Sequence, residues 1–70
     1  MEKIDVSGLS CPVPVIRTKK IMDAGAQEIM VTGSSQVSKE NISKLAKQQG
    51  YQLRMIKDGK NEWEMELKKG

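Results

Sequence analysis

The chain predicts a two-layer α/β (α+β) sandwich of order βαβαββ, a four-stranded mixed sheet with two helices on one face. Three observations carry that expectation. Apolar and polar residues alternate near the start of the chain and again through its last twenty residues, the period of a half-buried strand. Two intervening stretches repeat apolar residues at helical spacing. Glycine and serine stand at the joints between these pieces.

The first element is a strand. Ile4 and Val6 alternate with Lys3 and Asp5, so residues 2–6 read as extended until Gly8 breaks them. From Pro12 the period changes. Val15, Thr18, Ile21 and Met22 share one helical face, and Gly25 is a fitting stop. Ile29, Met30 and Val31 stand in a row within 28–32, which predicts a strand buried on much of both faces. Gly33-Ser34-Ser35 ends it and supplies a hydroxyl to cap the next helix. That helix is expected over 36–49, with Val37, Ile42, Leu45 and Ala46 inward and Gly50 just past its end.

The last two strands read as a hairpin. Tyr51, Leu53 and Met55 form the inward set of one strand, and Trp63, Met65 and Leu67 that of the other. Asp58-Gly59 between them is a strong hairpin signal. Glu62, Glu64 and Glu66 alternate with the apolar set and read as a solvated face. Met22, Met30, Met55 and Met65 read as core filler rather than ligands. Right-handed βαβ crossovers make the first three strands point the same way.

Composition narrows the functions open to such a domain. Seventy residues make one domain, spanning 1–70, with a small aliphatic core, since Phe is absent. No apolar run is long enough to span a membrane, and the N-terminus lacks a secretory signal, so a cytoplasmic protein is expected. There is one cysteine and no histidine. An internal disulfide is excluded, no metal site or cofactor is expected, and a triad with a histidine base cannot form. The net charge of +3 is mildly basic, but only Tyr51 and Trp63 are aromatic. A basic surface interleaved with stacking rings is missing, which makes nucleic acid an unfavoured direct ligand.

The predicted topology brings three segments to one sheet edge, at the C-terminal ends of the first three strands. These are Ser7 to Pro14, Gly33 to Val37, and the turn Lys57 to Lys60. Cys11 lies in the first. A lone cysteine is often an inert buried hydrophobe. Here it stands directly before Pro12, which suits a first helical turn, so Cys11 is expected at or beside a helix N-cap. Backbone N–H groups and the helix dipole would favour its thiolate there. Gly8 permits close approach of another chain, and Pro12 and Pro14 stiffen the segment after the thiol. Without a partner base, such a thiolate suits sulfur exchange better than amide cleavage. Ser10, Ser34 and Ser35 are candidates to hydrogen-bond a persulfide, though capping accounts for the last two equally well. Lys57 and Lys60 at the hairpin are candidates to favour a thiolate or dock an acidic partner, and Arg17, Lys19 and Lys20 on the first helix to form a docking surface. Solvated polar faces account for them as well.

The run Asp5-Val6-Ser7-Gly8-Leu9-Ser10-Cys11-Pro12-Val13-Pro14 resembles the N-terminal motif of the TusA/SirA-like family, Cys-Pro-X-Pro after a Gly-Leu pair. The resemblance extends over essentially the whole chain, including element order. The segment from Ser38 to Tyr51 looks closest to the YedF-like branch, whose members often carry a DsrE-like domain after this one and are associated with selenium metabolism. The resemblance implies a small sulfur carrier of sulfurtransferase type. Cys11 would accept sulfur as a persulfide from a cysteine desulfurase or another persulfide donor, and pass it to a downstream acceptor protein. Gly8, Leu9, Ser10, Pro12 and Pro14 would support it as motif residues. The sequence departs from the family pattern in places. Ser7 stands where many members have Arg or another large residue, Ser10 where many have a basic or polar one, and Val13 where the family's namesake has an acidic residue. Two other readings stand beside the carrier: a non-catalytic interaction or regulatory domain, and a weak RNA-binding module.

Overall fold

Alternating Ile4 with Lys3 and Asp5 gives β1 (Glu2–Asp5), whose edge position leaves Ile4 half-buried. The computed structural model describes residues 2–9 and 13–70. Helix α1 (Val13–Asp23) comes next, then β2 (Glu28–Gly33), α2 (Gln36–Gln48), β3 (Tyr51–Asp58) and β4 (Trp63–Lys69). The sheet order is β1-β2-β4-β3. β1 runs parallel to β2, while β4 is antiparallel to both β2 and β3. β1, β2 and β3 therefore all point the same way, as the two crossovers require. The last strand inserts between the second and third.

The register sorts the side chains by face. Ile29, Val31 and Gly33 of β2 stand beside Leu67, Met65 and Trp63 of β4, and all six are buried under the helices. The other face has no layer over it. There Met30 and Thr32 sit beside Glu66 and Glu64, all only half-buried. This corrects the expectation that β2 is buried on both faces. A two-layer fold covers a sheet once, so β2 alternates like any half-buried strand.

Helix α1 turns Pro14, Thr18 and Met22 inward. The Thr18 hydroxyl, fully buried, donates to the Pro14 carbonyl at 2.9 Å, which satisfies it inside the core. The helix closes in a Schellman pattern, with the Gly25 N–H donating to Met22 O and the Ala26 N–H to Ile21 O. Helix α2 starts at Ser35, whose hydroxyl accepts from the Ser38 N–H. Its inward stripe is Ser38, Ile42, Leu45 and Ala46, spaced i, i+4, i+7, i+8. Val37, expected inward, is 57% exposed. It precedes Ser38 by one residue, a rotation of about 100° that takes it off the stripe.

The hairpin also departs from expectation. Asp58 pairs with Trp63 as the last residue of β3, and a four-residue connection, 59–62, closes with the Gly59 N–H donating to Glu62 O. The pairing steps from Met55↔Met65 to Lys57↔Glu64. Ile56 is thus an extra residue, a bulge, and stands exposed.

The core centres on Trp63, with Ile29, Val31, Ile42, Met65 and Leu67 fully buried around it. The Tyr51 hydroxyl donates to Ala26 O and ties β3 to the α1–β2 connection. Gly33 lies against the Trp63 ring. A Cβ there would come within 2.8 Å of ring atoms, too close for any carbon. Gly33→Ala should therefore destabilise the fold by about 1–3 kcal/mol, the usual range for overpacking. Urea denaturation monitored by Trp63 fluorescence checks this, and an unchanged midpoint would mean that the ring moves aside freely.

Candidate functional site

The edge at the C-terminal ends of β1, β2 and β3 is tied together by short polar contacts. β1 leaves the sheet through a bond from the Val6 N–H to Thr32 O at 2.7 Å. The next turn is closed by the Leu9 N–H donating to Val6 O. Gly8 holds φ +75° at its third position, the left-handed value that a type II turn requires there. The Asp5 carboxylate accepts from the Ser7 N–H at 2.9 Å, an Asx-type turn at the strand end. The Gly8 N–H donates to the Ser34 hydroxyl at 3.2 Å, which fixes the first segment to the second. The Gln36 side chain donates to Gly59 O and Lys60 O at 3.1 and 3.2 Å, which fixes the second to the third. Lys39 adds an ion pair with Asp58 at 2.8 Å. The three segments expected to converge are thus linked among the described residues.

Ser10, Cys11 and Pro12 lie outside the described residues, and with them the expectation that Cys11 sits at a helix N-cap. The structure places both stems of that segment. Leu9 packs half-buried against the core, and Pro14 is buried in the first turn of α1. Gly8 is exposed. Both helices begin at this edge, since each comes after a strand that ends there. Val13 and Ile16 on the first turns of α1, and Val37 on the first turn of α2, are exposed aliphatic side chains.

The cationic candidates do not form one patch. Arg17 and Lys20 line a shallow cleft of about 450 Å³ with Lys3, Ile4 and Ile21, on the flank where α1 meets β1. Lys19 pairs with Asp23 one turn along, at 2.8 Å. Lys57 pairs with Glu62 at 2.6 Å. The Glu62 hydrogen bond and charge hold the Lys57 ammonium more firmly charged than a free lysine. Its charge is answered inside the hairpin. Lys60 is exposed in the 59–62 connection, and its carbonyl is taken by Gln36.

Sequence reasoning missed the clamp made by Gln36 and Lys39, because a polar side chain reaching across some twenty residues leaves no periodic signal. It also missed Ser38, buried on the inner face of α2, whose hydroxyl has no partner among the described residues. The helical spacing from Ile42 pointed to position 38 rather than 37. Among the described residues no group of three or more Asp, Glu, Cys or His side chains converges to hold a metal ion. Among them, too, no helix is long and apolar enough to cross a membrane.

The sequence profile of the family described as Sulfurtransferase TusA matches residues 2–69. A protein of Methanocaldococcus jannaschii assigned as a candidate sulfur carrier is 34% identical over 71 residues, covering 99% of this chain and 95% of that protein. The sulfur carrier protein TusA of Allochromatium vinosum is 31% identical over 70 residues, covering 97% of this chain and 92% of its own length. The crystal structure of a SirA-like protein from Desulfitobacterium hafniense superposes with a TM-score of 0.82 at 32% identity, over 100% of this chain and 99% of that one.

Two outcomes test the geometry of this edge. The Ser7 N–H, and secondly its hydroxyl, hold the Asp5 carboxyl below the ordinary 3.8. A carboxylate lowered in the folded state adds stability above its ordinary value and loses it as pH falls through the lowered one. An NMR titration should place Asp5 below 3.8, and Ser7→Ala should leave it still lowered, since the backbone contribution is the larger. Separately, Ser34→Ala should cost about 0.5 kcal/mol and speed hydrogen exchange at the Gly8 amide. Unchanged exchange would show that the bond does not hold the turn.

Proposed function

Since the chain belongs to the TusA sulfurtransferase family, we propose that it is a sulfur carrier working through a persulfide on Cys11. One observation carries the reading: the family match runs over residues 2–69, and that span contains a single cysteine and no histidine. Carriage of sulfur on a thiol needs no base, metal or electron source.

The exchange balances as it stands. The Cys11 thiolate attacks the outer sulfur of a donor's cysteine persulfide. A sulfur–sulfur bond forms on Cys11, the donor's sulfur–sulfur bond breaks, and the donor cysteine leaves as a thiolate. In the second half an acceptor thiolate attacks the outer sulfur on Cys11, and Cys11 leaves as thiolate in turn. Each half makes one sulfur–sulfur bond and breaks one, with no net oxidation. Attack requires the thiolate rather than the thiol. An N-cap position for Cys11 would favour it through the N–H groups and dipole of α1.

The stems of the segment support this use. The Gly8–Ser34 bond and the buried Pro14 hold residues on either side of Cys11 at an edge where a partner can approach. Gly8, Leu9, Ser10, Pro12 and Pro14 are its framing residues. Exposed Val13, Ile16 and Val37 give the same edge apolar surface for a partner protein to cover. The partners proposed are a persulfide donor such as a cysteine desulfurase and a thiol-bearing acceptor protein, both met in the reducing cytoplasm. Arg17 and Lys20 are the docking cations on α1 that no carboxylate among the described residues pairs.

The test is intact-mass analysis after incubation with a cysteine desulfurase and cysteine. Wild type should gain the mass of one sulfur atom, reversibly with added thiol, and Cys11→Ala should gain none. No gain with several desulfurases, or an equal gain in Cys11→Ala, would overturn the proposal in favour of a binding or regulatory role.

A further inference from the structure

β3 is an outer strand, because the order β1-β2-β4-β3 pairs it on one side only. Its other edge offers backbone N–H and C=O groups with no neighbouring strand. Beside that edge, between β3 and α2, runs a groove of about 350 Å³. Its floor is apolar. Leu53 and Met55 face the helix layer beside the fully buried Leu67 and Met65, yet stay half-buried because the sheet extends past α2. Its rim carries three lysines along α2, Lys39, Lys44 and Lys47, against two carboxylates, Glu40 and Asp58, so its charge is positive by one.

The rim charges differ in a telling way. Lys39 is answered by Asp58, as Lys19 is by Asp23, Lys57 by Glu62 and Lys68 by Glu28. Lys44 and Lys47 are exposed, and among the described residues no carboxylate lies within ion-pair distance of either. On the opposite face of the same strand Arg54 is exposed but stands beside Glu66 of β4. An extended chain laid along β3 would send alternate side chains to these two faces.

We propose that the free edge of β3 and this groove bind an extended segment of a partner protein, added as a further strand. Its helix-facing side chains would be of two kinds, apolar ones resting on Leu53 and Met55 and acidic ones answering Lys44 and Lys47. The main chain supplies affinity in such strand addition, and the alternate side chains supply specificity. The bulge at Ile56 limits pairing to Tyr51–Met55. A second copy of this chain is a poorer occupant, because pairing β3 with itself brings the two sets of lysines together. RNA is poorer too, since the groove offers no free aromatic face and Lys69 already sits over the Tyr51 ring. This inference goes beyond sulfur carriage and does not depend on the thiol.

The experiment is an NMR titration of the isotope-labelled chain with a short capped peptide in which every second residue is valine or glutamate by turns, with threonine between, so that one face carries both. Shifts should concentrate on Tyr51–Met55 and on Lys44 and Lys47, and the same peptide with lysine for glutamate should give none. The double variant Lys44→Glu/Lys47→Glu, changed only on an exposed helix face, should keep its spectrum and bind roughly tenfold more weakly. Cys11→Ala should bind as wild type does, so that loss of sulfur loading and loss of docking are read separately. The proposal is overturned by absence of shifts, by shifts at Arg17 and Lys20 instead, or by undiminished binding in the double variant. It is equally overturned if a short RNA shifts Lys44 and Lys47 where the acidic peptide does not.

Discussion

Trp63 sets the positions of the elements that meet at the site edge. Its ring lies so close to β2 that only glycine fits at position 33. Its Nε1–H donates to Ser35 O at 2.9 Å, at the N-cap of α2. One side chain thus holds the end of β2, the start of β4 and the start of α2 in a single packed unit. A buried indole usually finds a partner for its N–H, and here that partner is the residue from which a helix begins. Ser34, which receives the Gly8 N–H, lies between Gly33 and Ser35. The stem of the Cys11 segment is therefore referenced to the largest side chain in the core.

The functional edge arises from chain direction. Three strands end there, two helices begin there, and the connections carry Gly8, Ser34 and Gly59, with Gln36 opening α2 beside them. The fourth strand, running the other way, contributes Trp63 at its start rather than a loop at its end. Charge is divided between the layers. The helices hold six of the twelve basic residues and only two of the nine acidic ones, so they carry the net positive charge. On the open sheet face opposite charges stand side by side, as in Arg54 beside Glu66 and Lys57 beside Glu64. That face is self-neutralising, and the excess positive charge lies on the helix side.

Much of this was legible in the residues. Period-two runs marked β1, β3 and β4, a short apolar run marked β2, helical spacing marked α1 and α2, and the crossover rule set the common direction of β1, β2 and β3. That common direction located the edge, independently of the family pattern around Gly8 and Leu9. The differences have specific causes. Val37 reads as core by its hydrophobicity, but its angle on the helix puts it outside, and Ser38 takes the inward position. The hairpin signalled by Asp58-Gly59 forms, but the turn expected over Lys57 to Lys60 lies later, because the bulge at Ile56 carries pairing one step further and Asp58 remains in the strand. The partition of lysines into paired and free depends on where Asp23, Asp58 and Glu62 fall in space, which only the first of these betrays by its helical spacing to Lys19.

A carrier of this size faces a geometric constraint that the charge layout answers. The chain exposes 4393 Å² in all. A standard interface takes about 800 Å² from each partner, roughly a fifth of that surface. The whole body measures only 28 × 22 × 19 Å, so a patch of that area occupies most of one face. On the persulfide reading, donor and acceptor must both reach Cys11, between the described residues Leu9 and Val13, and two such patches cannot cover one edge together. Loading and delivery would then alternate, with full release between them. Release is favoured where contacts are exposed ion pairs, each worth about 0–1 kcal/mol, rather than a continuous apolar seam. On that reading the surfaces to either side of the edge, the α1 flank with Arg17 and Lys20 and the α2 groove with Lys44 and Lys47, would let one partner be told from another.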